Sequence, residues 1–254
     1  MMRVILGSLI PLALVIAWEV LGRLGILSED GFSRPLSIVA ALGRAMADGT
    51  LAVQTFDTFS AALQGLVIAA LLAIPAGTAL GLFRALERTT QLTIDVLRPI
   101  PSVALVPLAL LVFGFSRNQS AAVAAFACFW PILIVTTAAV RAIDPRLIEV
   151  GRMMGFSLAR RAVKLALPAA APGIMVGLRV AAGIAIVVTV TTEIVGNPRG
   201  LGYGMIVAQQ SLQADLVWAT LCWIGVVGWL ANWGLLRLER RWLRWYWIGR
   251  TGGA

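Results

Sequence analysis

The sequence contains little charge and few groups that hold metal ions. Only 13% of its 254 residues are charged, about half the share of a soluble globular domain, which argues against a water-soluble enzyme. Histidine is absent, and the two cysteines, Cys128 and Cys222, both lie in apolar segments. Such cysteines pack as small hydrophobic side chains more often than they pair. The composition therefore argues against a zinc site and against a disulfide.

A nucleotide-binding loop is missing as well. The sequence has no G-x-x-x-x-G-K-[ST] motif, and its only lysine, Lys164, follows no glycine-rich segment. Intrinsic disorder is excluded by a hydrophobic share of 59% and a mean hydropathy of +0.89. The net charge of +9 would suggest nucleic acid in a soluble protein, but here the basic residues lie between apolar runs. A membrane protein that binds no nucleic acid is therefore the favoured interpretation.

Long apolar runs make up much of the sequence. A membrane-spanning helix needs about 20 mostly apolar residues. Six runs qualify, at about Val4–Gly22, Ala61–Leu82, Val96–Phe115, Ser120–Val140, Gly173–Val195 and Leu216–Leu236. The first run is too long for the apolar part of a signal peptide, so we interpret it as an anchored helix. We predict an all-α polytopic membrane protein with about six spans, forming a single transmembrane domain over residues 1–254.

The basic residues predict the orientation of this domain. With the N-terminus in the cytoplasm, fifteen basic residues lie in the inner segments and five in the outer ones. Since inner loops carry an excess of Lys and Arg, both termini are expected in the cytoplasm. The C-terminal tail, 237–254, mixes Arg with Trp and Tyr, which is typical of an interfacial anchor to membrane lipid.

Prolines and glycines mark two further features of the spans. The third run contains Pro99, Pro101 and Pro107, which disfavour a straight helix. A broken helix in a membrane either lines a pathway or is a static kink, so Pro101 and Pro107 are candidate pathway residues. Two G-x-x-x-G pairs, Gly77 with Gly81 and Gly173 with Gly177, predict close packing between helices.

The segment between the fourth and fifth spans is the longest charged loop. Asp144 is suited to cap a helix, and Pro145 fits its first position. Gly155 permits a turn, Ser157 is a plausible second cap, and Pro168 is expected to end the second helix. Two short amphipathic helices joined by a turn need a partner surface, which periodicity alone leaves open between lipid and protein.

This loop resembles the EAA loop in permease subunits of bacterial binding-protein-dependent ABC importers. That pattern is E-A-A, three residues, G, nine residues, I, one residue, L-P. The matching residues here are Glu149, Val150, Gly151, Gly155, Leu165, Leu167 and Pro168, at the same spacing throughout. The two alanines are replaced by Val150 and Gly151 and the isoleucine by Leu165, all small or apolar changes.

The resemblance extends over most of the chain. Residues 64–83, 94–116 and 177–202 are similar to the nitrate/sulfonate/taurine branch of this family. Ser116 replaces a glycine that this branch commonly carries after the third span, and Ala62–Gly65 departs from its usual Ser-Leu-x-Arg. A small anion such as an aliphatic sulfonate, taurine or nitrate is therefore the first substrate hypothesis.

The resemblance implies the fold of a type I ABC importer permease and a set of partners. Such permeases lie in the bacterial inner membrane as dimers, usually of identical chains, with two cytoplasmic ATPase subunits and an extracytoplasmic binding protein. The EAA loop docks in a cleft of the ATPase. ATP and Mg would be bound by the ATPase subunits, so no cofactor and no catalytic residue is expected in this chain. The loop residues Glu149, Gly151, Gly155, Leu165, Leu167 and Pro168 are thus candidate coupling residues.

Two ionisable residues in the fifth span are further candidates for a pathway or gate. Arg179 and Glu193 are 14 residues apart, about four helical turns, so they share one face but lie about 21 Å apart and cannot pair. Intramembrane charges usually face a cavity or a partner, although Arg179 is also placed to reach headgroups and Glu193 to cap local structure.

Alternatives to an importer of anions remain open. The same importer class for a neutral vitamin precursor, a pyrimidine or a flavin, is one. A stand-alone ion-coupled transporter would need buried carboxylates in several spans, and only Glu19 and Glu193 are available. A membrane-embedded enzyme would need a nucleophile or metal constellation, which the sequence does not suggest.

Overall fold

The computed structural model describes residues 2–26 and 31–242, with side chains described at residues 9–10, 12–26 and 31–242. Its helices are α1 (Met2–Arg23), α2 (Pro35–Ala47), α3 (Thr50–Leu82), α4 (Arg84–Leu97), α5 (Val106–Phe113), α6 (Arg117–Arg141), α7 (Pro145–Met153), α8 (Leu158–Arg161), α9 (Leu167–Gly196), α10 (Gly200–Gln210) and α11 (Ala214–Trp242). A 3₁₀ turn, Ser102–Leu105, precedes α5, and a π-helical turn, Ala162–Ala166, joins α8 to α9. The predicted all-α class is confirmed.

Among the described residues, four helices are long and apolar enough to cross a membrane, and a bent pair of helices passes the same test when it is taken as one span. The four are Thr50–Leu82, Arg117–Arg141, Leu158–Gly196 and Ala214–Trp242, and the pair is Arg84–Leu97 with Ser102–Phe113. They contain the second to sixth predicted spans. The first predicted span coincides with α1, and its crossing stays a prediction because part of that helix has no described side chains.

The helices extend beyond the predicted apolar runs. Helix α3 begins at Thr50 rather than near Ala61, because its first three turns carry polar residues such as Gln54 and Asp57 that apolar counting leaves out. At about 1.5 Å per residue its 33 residues measure about 50 Å, more than the hydrocarbon core of about 30 Å. Helix α11 likewise runs through Trp242, so the predicted tail at 237–254 starts as helix; residues 243–254 lie outside the described range.

The core lies where α3, α6 and α9 pack together through small side chains. Ala73 on α3, Cys128 on α6 and Ala181 on α9 are completely buried in this cluster. A β-carbon at Gly77 would lie 2.8 Å from the Leu133 carbonyl oxygen, and one at Gly173 would lie 2.6 Å from the Ala139 β-carbon. Both G-x-x-x-G pairs therefore bring a helix close to α6, as predicted.

We expect Gly77→Ala to weaken this core by about 1–3 kcal/mol, because the added methyl group meets backbone on α6 that cannot move away. Gly225→Ala on α11 is the matched control, since a β-carbon there has no neighbour within 4 Å. The thermal unfolding midpoint of the purified protein in detergent measures the difference. Equal midpoints for the two variants would contradict close packing at Gly77.

Candidate functional site

The third predicted span is a broken helix. Its backbone bends by 81° between α4 and the 3₁₀ turn before α5. The break contains Pro99 and Pro101, which have no N–H to donate, and Pro107 lies in the first turn of α5. The predicted break is confirmed, and the helix before it, α4, starts at Arg84, well before the predicted start of the run at residue 96. Pro101 and Pro107 are both exposed in the single chain.

A cavity of about 480 Å³ lies at the bend, and we refer to it as the bend cavity. The broken helix forms one wall, and α6 and α9 form the others. Its lining residues are Arg98, Ile100, Ser102, Phe126, Ala127, Trp130, Pro131, Ile134, Val135, Ile184 and Val188. The bend thus exposes a polar backbone segment and two polar side chains to an open space inside the membrane-spanning region.

A second cavity of about 320 Å³ adjoins the first, and we refer to it as the Glu87 cavity. It shares Arg98 and Ile134 with the bend cavity and extends along α4 and α6 towards Arg141. Glu87 and Arg141 form an ion pair across it. Sequence reasoning counted Arg98 only as an inner positive charge. No local pattern marks it as a cavity residue, because its position depends on the direction of the bend.

Arg179, a predicted pathway residue, lines neither cavity. Its guanidinium pairs with the carboxylate of Glu239 on α11, so the charge fixes one spanning helix to another. Sequence reasoning missed Glu239, which lies in a basic run 60 residues from its partner. Arg179 and Glu193 do not pair with each other, as their separation along the helix predicts.

Glu193, the other predicted pathway residue, lies on α9. Its side chain is buried against the start of α10, with 3% of the residue's surface exposed. Its Oε2 accepts hydrogen bonds from the Thr58 hydroxyl at 2.9 Å and from the Gly202 N–H at 3.0 Å. The Thr58 oxygen in turn accepts the N–H of Leu201 at 2.8 Å. A carboxylate that receives the free N–H groups of a helix start stabilises that helix. These contacts favour the capping role that the sequence left open.

The charged loop folds as two helical segments joined by a turn, as predicted. The Asp144 side chain accepts the N–H of Arg146 at 2.9 Å and so caps α7, with Pro145 in its first turn. Gly155 has a φ of +72°, a left-handed conformation that glycine adopts without a steric penalty. The Ser157 hydroxyl accepts the N–H of Arg160 and caps α8.

The expected helix end at Pro168 is wrong. Residues 158–196 form one continuous helix that crosses the membrane. Pro168 lies in the first turn of α9, directly after the π-helical turn Ala162–Ala166. The wider π turn removes the need for an i to i−4 hydrogen bond at the proline, so the chain continues without a break. The loop is thereby joined directly to a core helix.

Two of the three loop positions that depart from the family pattern, 151 and 165, contact each other. Gly151 is buried, and a β-carbon there would collide with the δ-carbon of Leu165. The Leu165 side chain thus occupies the space that a β-carbon at position 151 would fill. Leu165 is partly buried, and Leu167 packs against the cluster of Val140, Ala166 and Ile174.

The loop has an exposed apolar surface on the side that faces away from the rest of the chain. Met153 is 87% exposed, Met154 65% and Val150 50%. Glu149 is exposed on the same helix, between Arg146 and Arg152. An exposed apolar patch rimmed by charges is typical of a surface that binds another protein.

Sequence comparisons identify the family. Residues 65–244 match the family model described as a binding-protein-dependent transport system inner membrane component. The putative aliphatic sulfonates transport permease protein SsuC of Bacillus subtilis is 31% identical over 243 residues, with 94% of this chain and 87% of that protein covered. Its counterpart from Escherichia coli is 33% identical, with 93% and 90% covered.

The bicarbonate transport system permease protein CmpB of Synechococcus elongatus is 34% identical, with 89% of each chain covered. Among solved structures, an inward-facing MetNI methionine ABC transporter matches with a TM-score of 0.66 at 20% identity, covering 74% of this chain and 94% of that one. This structural match concerns the fold. The chain therefore belongs to the family of binding-protein-dependent transport system inner membrane components and is a permease subunit of an ABC importer.

Proposed function

We propose that this permease couples to a separate ATPase through the helix pair α7–α8. The observation that carries the proposal is the rigid path from an exposed apolar patch into a core helix. Met153 and Met154 lie on the exposed side of the loop, while Gly151 packs against Leu165 on the inner side. Methionine side chains adapt to a partner cleft, and Glu149 would supply a polar contact at its edge.

The continuous helix 158–196 would transmit the motion. When ATP-driven closure of two ATPase subunits moves the loops together, each loop would carry its own α9 with it. Gly155 supplies the turn of this joint, and Leu165, Leu167 and Pro168 supply its fixed exit into α9. In this alternating-access mechanism the outer ends of the spans then separate. ATP and Mg would be bound by the ATPase subunits, and this chain would need no cofactor of its own.

The transporting unit would contain two copies of this chain. The exposed face of α9 carries Val176, Val180 and Val187, and the exposed face of α5 carries Leu108 and Leu111. These apolar surfaces are on the helices that form the walls of the bend cavity, which is open in the single chain. A second copy would cover them and close a shared pathway. Both termini and the coupling loop would lie in the cytoplasm of a bacterial cell, as the charge distribution predicts.

The proposed substrate is a small anion, with an aliphatic sulfonate first. The similarity to two SsuC proteins over more than nine tenths of this chain supports a sulfonate, and the similarity to CmpB supports the wider class of small oxyanions. A binding protein would deliver the anion at the outer surface, where the turn 197–200 precedes α10.

Gly151→Ala is expected to weaken coupling modestly, because the new β-carbon meets the δ-carbon of Leu165 and that side chain must shift to make room. The double variant Gly151→Ala/Leu165→Ala should recover most of the loss, since the colliding atoms are gone. Copurification of ATPase subunits and ATP-driven uptake measure the effect. If the loss of uptake in the double variant equalled the sum of the losses in Gly151→Ala and Leu165→Ala, the contact between residues 151 and 165 would not position α7.

ATP-driven uptake of ethanesulfonate into proteoliposomes should require the permease, its ATPase and its binding protein together. The purified permease alone should show no uptake with or without an ion gradient, because it contains no nucleotide site. Uptake by the permease alone would support a stand-alone transporter. Uptake of a neutral pyrimidine in place of ethanesulfonate by the full complex would overturn the anion assignment and keep the importer.

A further inference from the structure

Arg98 is a cation at the bend without a protein partner. Its guanidinium makes no hydrogen bond and no ion pair with another residue in the part of the chain that the structure describes, while its backbone N–H donates to the Ile94 carbonyl oxygen at 2.9 Å. Two carboxylates line the Glu87 cavity: Glu87 pairs with Arg141, and Asp95 forms no ion pair with Arg98. Arg98 therefore lines two adjoining cavities without a direct ion pair, although Asp95 lies in the lining of one of them.

Arg98 is exposed, so its charge is open to whatever fills the bend cavity. The bend cavity places it beside Trp130 and Ile134, which lie in the middle of α6, and Ile134 is seven residues from Arg141, or about 10 Å along the helix. A charged group this far from the end of a spanning helix is unfavourable unless it faces water or an opposite charge. The bend cavity supplies the space for either.

The other polar groups of the bend cavity are hydrogen-bond donors. The Ser102 hydroxyl lies one turn beyond Arg98, and no carboxylate is among the lining residues. The indole N–H of Trp130, a residue only 9% exposed, has no acceptor among the described residues. Phe126 and Phe129 hold its ring edge-to-face at 5.7 and 5.1 Å between centroids. The Trp130 nitrogen is fully buried, so Arg98 and the Ser102 hydroxyl are the side-chain donors that the lining offers, and this set suits an anion better than a cation.

The Glu87 cavity has the opposite character next to the same arginine. Asp95 lines it together with Arg98, so an anion that leaves the bend cavity in this direction approaches a carboxylate. Attraction on one side of Arg98 and repulsion on the other would keep binding weak enough for release, which a transport pathway requires.

We propose that Arg98 and Ser102 bind the oxyanion group of the transported solute in the bend cavity. This proposal rests on the proposed anion import and adds the site at which the anion is recognised within the membrane. A volume of about 480 Å³ is sufficient for a small sulfonate, nitrate or bicarbonate, and these oxyanions share the same recognition chemistry.

A thiol introduced by Ser102→Cys tests the site without knowledge of the substrate. The native exposed thiol is removed by Cys222→Ala, and Cys128 is buried. The assembled complex is treated with a methanethiosulfonate that carries a sulfonate and, separately, with one that carries a quaternary ammonium group. Arg98→Gln should lower the ratio of anionic to cationic labelling rates at least about fivefold.

Two control variants define the result. Arg98→Lys keeps the charge and should keep the labelling ratio. Arg88→Gln removes an exposed arginine on α4 that lines neither cavity, and it should also leave the ratio unchanged. An unchanged ratio in Arg98→Gln, or an equal fall in Arg88→Gln, would overturn the proposal.

Uptake provides the second arm and separates the two proposals. In proteoliposomes, Arg98→Gln should lower ethanesulfonate uptake more than about tenfold, while ATPase activity stimulated by the loaded binding protein stays within about twofold. If the unaltered complex imports only a neutral solute, the anion function fails. If it imports ethanesulfonate and Arg98→Gln imports it equally well, the function stands and the Arg98 site is overturned.

Discussion

The structure depends on the close approach of three helices through small residues. In lipid, apolar side chains gain nothing by leaving their surroundings, so spanning helices associate by tight packing instead. Here α3 and α9 both press against α6, at Gly77 and Gly173 respectively. This arrangement leaves the wider surfaces of α5, α9 and α11 with exposed apolar side chains. The single chain thus has a narrow rigid core and broad faces for lipid and for other chains.

The second constraint is continuity between the loop and the core. A proline in a spanning helix usually bends it or ends it, yet the helix continues past Pro168, which follows a π turn, and past Pro172. The same helix therefore begins in the charged loop, passes through the packed core at Ala181 and ends at Gly196 beside the outer cap formed by Glu193. Movement at one end of such a helix is transmitted to the other with little loss. An ATP-driven importer needs this property of its permease.

Local patterns in the sequence predicted the features that depend on local chemistry. The capped pair α7–α8, the broken helix at Pro99 and Pro101 and the glycine contacts all follow from residue type and spacing. Local sequence patterns did not predict the features that depend on residues far apart in the chain. The pairing of Arg179 with Glu239 joins residues 60 positions apart, and the two cavities around Arg98 exist only because α4 and α5 meet at 81°. The length of α3 was underestimated because its outer turns are polar helix and not apolar span.

The central claim is that helix 158–196 moves as one body between the ATPase and the outer surface. Spin labels introduced by Arg152→Cys in the loop and by Val195→Cys near the outer end of α9 report the distances between two copies in the assembled complex. On trapping with ATP and vanadate, the account predicts that the labels at 152 approach each other while those at 195 separate. A shorter distance at 152 with no change at 195 would show that the helix bends, and it would contradict the account.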